Sequence, residues 1–422
     1  MKFKVASYAV HRGYRLADPL LRLIIAFCCG LMFAPWPASA NDWPHWRGPE
    51  QNGISTEKGW TSDWPAEGPR IVWKASVGMG FSSISVAGGR AITMGNANDA
   101  DTVFCLDAKT GKEIWKHNYP AELGDKYFEG GTTGTPTVDG DRVFTLSRWG
   151  DVFCFEADSG KVVWNRNLAK DASARAPTWG FGGSPTVRDN MLLLNVGETG
   201  MALDKATGKT IWQSATKDAG YSTPLPFREN GKWVALLGSE KSYVAVDIAT
   251  GKEIWAMRWL TQYGVNASDP IPDGDRVFIS TGYGKGAALL KITDQPEPEV
   301  IWKSKVLATQ LNSAVLVDGC LYGLDGNAGD DAPLKCIDYG TGTEKWSYSN
   351  VGTGGVIVAD GKLIVTSSKG ELLVFACNPA EARVLARAQV MGNKCWTAPV
   401  LANGFVYCRN SRGDVVCVDV HK

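Results

Sequence analysis

Leu106-Asp107-Ala108-Lys109-Thr110-Gly111-Lys112-Glu113-Ile114-Trp115 is a phrase that the chain repeats. It returns as Glu156 to Trp164, Asp204 to Trp212, Asp247 to Trp255 and Asp338 to Trp346. In all five copies an acidic residue stands eight positions before the Trp and a Gly four before it. Trp73 and Trp302 extend the series to Trp73, Trp115, Trp164, Trp212, Trp255, Trp302 and Trp346, at spacings of 42, 49, 48, 43, 47 and 44 residues. A period in the forties, with turn signals and short alternating runs, is the mark of a β-propeller.

One period resolves into four strands. Pro136–Val138 is extended and closes on the turn Asp139-Gly140-Asp141. Arg142–Leu146 alternates, Asp151–Phe155 follows the turn at Trp149-Gly150, and Lys161–Asn165 follows Asp158-Ser159-Gly160. Four short strands with tight turns make one antiparallel blade. Gly before Lys supplies the positive φ of the turn, and the acidic residue can accept from turn amides. The Trp is broad enough to fill the wedge between blades.

Strand counting gives an all-β, eight-bladed β-propeller of four-stranded antiparallel blades, starting near Ser83, Thr135, Ser184, Thr223, Asp269, Ser313, Gly355 and Ala398. The last blade lacks a fourth strand, because Val415–Val420 matches a third and the chain stops at Lys422. Residues 70–77, around Ile71-Val72-Trp73, read as that missing strand. The N-terminal strand is therefore expected to pair with the C-terminal blade and close the ring, which removes open sheet edges. Two joints depart from the pattern. An acidic, Pro-containing loop replaces the turn at Asp294 to Glu299, and Ala386 takes a Trp slot; both joints are expected to be poorly filled.

Residues 1–40 read as a signal peptide: five Lys or Arg before or at Arg22, an apolar run from Leu23 to Ala34, and Ala38-Ser39-Ala40 as a small-x-small cleavage site. A lipid anchor at Cys28 or Cys29 is disfavoured, because Phe27 or Cys28 stands where a small residue is needed. Beyond Ala40 there remain 39 basic and 43 acidic residues, a net of −4, which argues against nucleic acid. The expected organisation is signal peptide 1–40, a Trp-rich arm 41–69 and the propeller 70–422. The arm carries Trp43, Trp46, Trp60 and Trp64 and is expected to lie along the side or base of the ring.

Eight Cys follow Ala40. Cys105, Cys154, Cys336 and Cys417 share one slot of different blades, two before the acidic residue, where apolar filling is the default. Cys408 and Cys417 flank the turn at Arg412-Gly413 and could face each other, although cross-strand bridges strain a sheet. Free thiols are the preferred reading. No Cys-x-x-Cys pair exists and three His follow Ala40, so neither a zinc site nor a His-based triad is indicated.

The loops that lead into the first strands should converge on one mouth of a central channel. Its carboxylate is Asp269, with Asn266 and Asn312 nearby, and Arg175, Trp179, Lys394 and Trp396 on the rim beside Tyr127, Phe128, Phe181, Tyr221 and Tyr263. These are candidate ligand-binding residues; aromatics in such loops can equally close the barrel end by packing. No catalytic residue and no metal ligand is assigned.

The Asp-x-x-Thr-Gly-Lys-x-x-Trp phrase resembles the repeat of the pyrroloquinoline quinone (PQQ)-like propeller family, over Arg70 to Lys422. That family includes quinoprotein alcohol dehydrogenases, which use PQQ and calcium, and the non-catalytic assembly lipoprotein BamB. The lead-in Asp42-Trp43-Pro44-His45-Trp46-Arg47-Gly48-Pro49 looks like that of secreted BamB-like proteins. The dehydrogenases carry an adjacent Cys-Cys pair against the cofactor. Here the adjacent pair is Cys28-Cys29, inside the leader, and their calcium ligands match no position. The resemblance therefore implies an exported, monomeric, non-catalytic scaffold for an envelope protein or polymer, without cofactor or transmembrane span. The alternative is a small PQQ- and calcium-dependent oxidoreductase.

Overall fold

The structure, a computed structural model, describes residues 41–422; the leader and its cleavage site lie outside the described residues. Eight sheets succeed one another along the chain. Blades 1 to 4 occupy residues 85–120, 137–167, 186–213 and 225–258; blades 5 to 7 occupy 271–304, 315–348 and 355–389. Blade 8 takes three strands from residues 400–419, and its fourth is Ile71–Ser76. This strand runs antiparallel to Asp414–Asp419, with Trp73 opposite Cys417. Ring closure thus follows the expected pairing. Among the described residues the exception to strand and turn is one short helix, Leu168–Asp171, capped by Asn167.

The recurring phrase joins neighbouring blades. Asp107 Oδ1 accepts from Thr110 N at 2.8 Å and from its hydroxyl at 2.8 Å, which fixes the turn. Gly111 then lies flat on Trp73 of the preceding strand in the ring. Equivalent pairs are Gly160 on Trp115, Gly208 on Trp164, Gly251 on Trp212 and Gly342 on Trp302, and a Cβ on any of the five would come within 2.4–2.8 Å of the indole. Each of these glycines also has φ between 68° and 72°. Glycine is therefore required twice over, by backbone conformation and by the ring above it. The same indoles donate to the next blade: Trp73 Nε1 to Ala108 O at 3.0 Å, Trp115 to Ala157 O at 2.8 Å and Trp164 to Lys205 O at 2.9 Å. Cys105, Cys154, Cys336 and Cys417 each pair across the strand with a repeat Trp, where a small side chain leaves room.

Neither irregular joint is poorly filled, against expectation. Trp255, which faces the acidic loop, is 1% exposed and packs with Trp259 and Ile292; its Nε1 turns to Glu229 Oε2 at 3.2 Å. At the other joint Ala386 shares a cluster with Trp60 and Trp64. The arm supplies the ring bulk that the repeat omits there.

The Cys408–Cys417 pairing is geometrically out of step. Cys408 faces Val416 and Cys417 faces Tyr407, so the two thiols point to opposite faces of the hairpin. All eight described Cys are unbridged.

Candidate functional site

First strands of neighbouring blades meet around the channel, blade 1 with 2, 2 with 3 and 6 with 7. A girdle of hydrogen bonds runs around its upper end, on the side of the blade-to-blade loops. Ser83 N donates to Thr135 Oγ1, Thr135 N to Ser184 Oγ and Ser184 N to Thr223 Oγ1, each at 3.0 Å. Thr223 N donates to Asp269 Oδ1 and Asp269 N to Ser313 Oγ, both at 2.7 Å. Each lead-in residue thus offers its amide to the side-chain oxygen of the next blade. Small hydroxyls at these positions are ring hardware: they satisfy backbone donors that the channel would leave unpaired. Gly355 and Ala398 carry no oxygen, and there Asn312 spans the gap, donating to Gly354 O at 2.5 Å and Trp396 O at 2.8 Å.

Only the second half of the arm lies along the base, where Trp60 bridges His421 and Thr61 N donates to Val420 O. The first half rises into the channel and turns back, which corrects the expectation for Trp43 and Trp46. Asp42 accepts from Gly88 N and Asn403 Nδ2 at the lower turns, and Trp43 bridges Val86 of the first strand of blade 1. At the top Trp46 Nε1 donates to Asp269 Oδ2 at 2.7 Å. Arg47 stands beside the same carboxylate at 3.9 Å and donates to Asn52 O and Ala314 O. Arg47, Gly48, Gln51 and Gly53 all have positive φ, which reverses the chain. Ile54–Ser55 then descends parallel to Val358–Ala359 as a fifth strand of blade 7, and Glu57 accepts from the amides of Asn403 and Gly404. No periodicity announces this plug. The clue in the sequence was complementarity: one Arg beside the paired Trp residues of the arm and one carboxylate in a ring of neutral lead-in residues.

Asp269 is consequently occupied by its own chain. Burial pushes its carboxyl above the usual carboxylate range, and Arg47 opposes that push; the guanidinium is lowered by the same burial. A buried pair of this kind is held by its additional hydrogen bonds rather than by charge alone.

Above this floor lies a cup of about 480 Å³. Its wall is a string of half-buried rings. Trp396 stacks on Phe81 at 5.4 Å, and Phe81 meets Phe128 at 5.7 Å. Tyr127 meets Trp179 at 6.1 Å, and Trp179 lies edge-on to Tyr221 and Tyr263. Trp46 closes the bottom. Arg148, 3% exposed, ties the loops together: its Nη atoms donate to Leu123 O, Gly124 O and Trp179 O.

Of the residues expected at the mouth, Asp269, Asn312, Trp179 and Trp396 line this cup, with Tyr127, Phe128 and Tyr221. Asn266, Arg175 and Lys394 stand apart. Asn266 is fully buried and donates to Ser239 O and Trp259 O, so it braces a loop. Arg175 pairs with Asp218 at 2.6 Å on the outer rim. Lys394 pairs with Glu129 and lies over the Trp396 ring at 4.3 Å. Phe181, placed on the rim by sequence, is a fully buried core residue. Sequence reasoning missed Trp46, Phe81, Tyr283 and Gln310 as lining residues. Among the described residues no three His, Cys, Asp or Glu side chains gather as a metal-holding group, and no helix is long and apolar enough to cross a membrane.

A family model described as "Outer membrane protein assembly factor BamB" matches residues 56–133 and 101–348. The chain belongs to the BamB family of PQQ-like propellers. No curated protein matches. Among solved structures, BamB from Moraxella catarrhalis aligns with a TM-score of 0.62 at 16% identity, over 83% of this chain and 99% of that one. Quinohemoprotein alcohol dehydrogenase from Comamonas testosteroni aligns at 0.66 and 14% identity, over 90% of this chain and 81% of that one. A computationally designed protein, Ika8, aligns at 0.62 and 12% identity, over 84% and 100%. At these identities the likeness is one of fold. A ring of this kind is common to an outer membrane protein assembly factor, a dehydrogenase and a design, so activity has to be read from the mouth itself.

Proposed function

We propose that this BamB-family chain is an exported, non-catalytic scaffold that binds a protein or polymer partner of the cell envelope through the mouth of its channel. One observation carries the reading: the carboxylate at the centre of the mouth is engaged by Trp46, Thr223 and Arg47 of the same chain. A general base must reach a substrate proton, and both oxygens of the Asp269 carboxylate already accept hydrogen bonds, Oδ1 from Thr223 N and Oδ2 from Trp46 Nε1. Export is supported by the basic leader and the Ala38-Ser39-Ala40 site.

The cup also fits PQQ poorly. PQQ is a tricarboxylate, and no Lys or Arg lines the cavity. Burying three anionic groups without cations costs far more than stacking on Trp396 or Trp179 returns. The test is calorimetric titration of the chain from Asn41 to Lys422 with PQQ and calcium, followed by dye reduction with simple alcohols. No micromolar binding and no turnover are expected. Binding with turnover that Asp269→Asn abolishes would replace the scaffold by the oxidoreductase.

A further inference from the structure

We infer that the cup receives an uncharged aromatic side chain projecting from a protein segment, and that Trp46 of the arm sets how deep it goes. This deepens the scaffold reading and rests on it.

The argument begins with what the cup can offer. Its inner polar groups each make at least one hydrogen bond to the framework, which leaves a few single hydroxyl and carbonyl sites rather than a matched set. Thr135, Ser184 and Thr223 accept girdle amides. Thr133 donates to Phe181 O at 2.9 Å. Asn312 spends both N–H groups on carbonyls, and Gln310 donates to Tyr283 Oη while accepting from Ala328 N. A saccharide would bring a shell of hydroxyls into this cup. Each one left unpaired costs on the order of 1–3 kcal/mol. A charged group would find no unpaired counter-ion, since Asp269 and Arg47 neutralise each other beneath Trp46 and Lys394, over the Trp396 ring, is paired with Glu129. An aromatic ring loses no hydrogen bonds on entry and meets ring faces and edges at the separations that such pairs favour.

Size and rim agree. A cavity of about 480 Å³ lies at the lower end of the ~300–1,000 Å³ range of ligand pockets, which suits one or two rings rather than a folded element. The exposed rings at the lip, Tyr127 at 59% and Tyr263 at 52%, place phenolic hydroxyls where a peptide backbone passes, as in an anchor residue surrounded by a polar rim. The arm makes this a blind cup: without Trp46 the anchor would face the buried Arg47–Asp269 pair.

The test uses capped, neutral pentapeptides of the form acetyl-Gly-Gly-X-Gly-Gly-amide, titrated calorimetrically into the chain from Asn41 to Lys422, with cellobiose in parallel. The Trp peptide should bind at least tenfold more tightly than the Ala and Glu peptides, and cellobiose should show no heat. Trp179→Ala should weaken the Trp peptide at least tenfold, whereas Trp233→Ala, on the far side of blade 4, should leave it unchanged; unaltered melting of both variants shows that they are folded. Trp46→Ala should shift preference at least fivefold toward a peptide carrying the longer biphenylalanine. Tighter binding of cellobiose, or equal binding of the Glu peptide, would overturn the inference. So would the absence of heat with every probe, and that result would leave the PQQ test of the scaffold reading untouched.

Discussion

At the scale of single residues, the Gly–Trp pairs explain why the repeat keeps those two letters while its other positions drift. The prediction is a contrast between two glycines of similar φ. Gly274, at 60°, has open space where a Cβ would go, whereas at Gly208, at 72°, a Cβ would lie 2.7 Å from Trp164. Gly274→Ala should cost about 1 kcal/mol, the price of a left-handed Ala, and Gly208→Ala about 3, both read from urea unfolding. Trp164 itself is half-buried rather than enclosed, so Trp164→Ala should cost about 2–3 kcal/mol, below the full range for core Trp. The spacing made the Trp legible from sequence. That its partner is the next glycine around the ring was not, because a contact between blades leaves no periodic trace within one.

His45 gives a prediction in pH. Its imidazole sits within the plug, and burial pushes it down to about 4, against weaker opposing effects from Gly48 and Asp139. Since the unfolded value is near 6.5, the unfolded chain binds more protons between pH 6.5 and 4. The stabilisation is complete above pH 6.5 and falls by about 3 kcal/mol on acidification to pH 4. Asp101, raised by burial to about 6, acts in the opposite sense over pH 6 to 3.8. The clean measurement is therefore the difference between the parent and His45→Gln across that window: the parent should lose stability faster.

Among elements, the closing strand and the arm fasten the ring in different ways. Ile71–Ser76 completes blade 8 by backbone pairing that its alternation foretold. Arg409 reinforces the same seam from inside: fully buried and without a carboxylate, it donates to Ser82 O at 2.9 Å, Thr93 Oγ1 at 2.7 Å and Met94 O of the blade 1 side. Its guanidinium is pushed down to about 9 by burial alone. Arg409→Met withdraws a charged donor from all three acceptors and should cost about 3–5 kcal/mol in urea unfolding. The arm is held by side chains and by short backbone bridges to scattered blades, which is why no sequence pattern located it. Glu57→Gln weakens the charged acceptor of the Asn403 and Gly404 amides and should cost about 1–2 kcal/mol. Amide exchange at those two positions should rise selectively.

Over the whole molecule, the fold was legible because eight copies of one unit average out local exceptions, and ring closure followed from counting strands. The mouth was legible only in part. Lead-in positions could be placed in register, which found Asp269, Asn312, Trp179 and Trp396. Loops between them obey no register, so Arg175 and Lys394 fell outside and Phe81 went unseen. The girdle hydroxyls looked like possible ligand groups in one dimension and prove to be committed to neighbouring blades in three.

The threaded arm also imposes an order of events on the chain. Its first residues to leave the synthesis or export machinery have partners that emerge last: Trp46 waits for Asp269, 223 residues on, Arg47 for Ala314 at 267, and Glu57 for Gly404 at 347. Trp43 can meet Val86 early, but Trp46, Trp60 and Trp64 travel unsheltered until most blades have appeared, and the hole that Trp46 fills does not exist until the ring around it is nearly drawn. Late arrival of the final blade is thus the commitment point for both ends at once, and a nascent chain halted before it is one that a holding chaperone should retain.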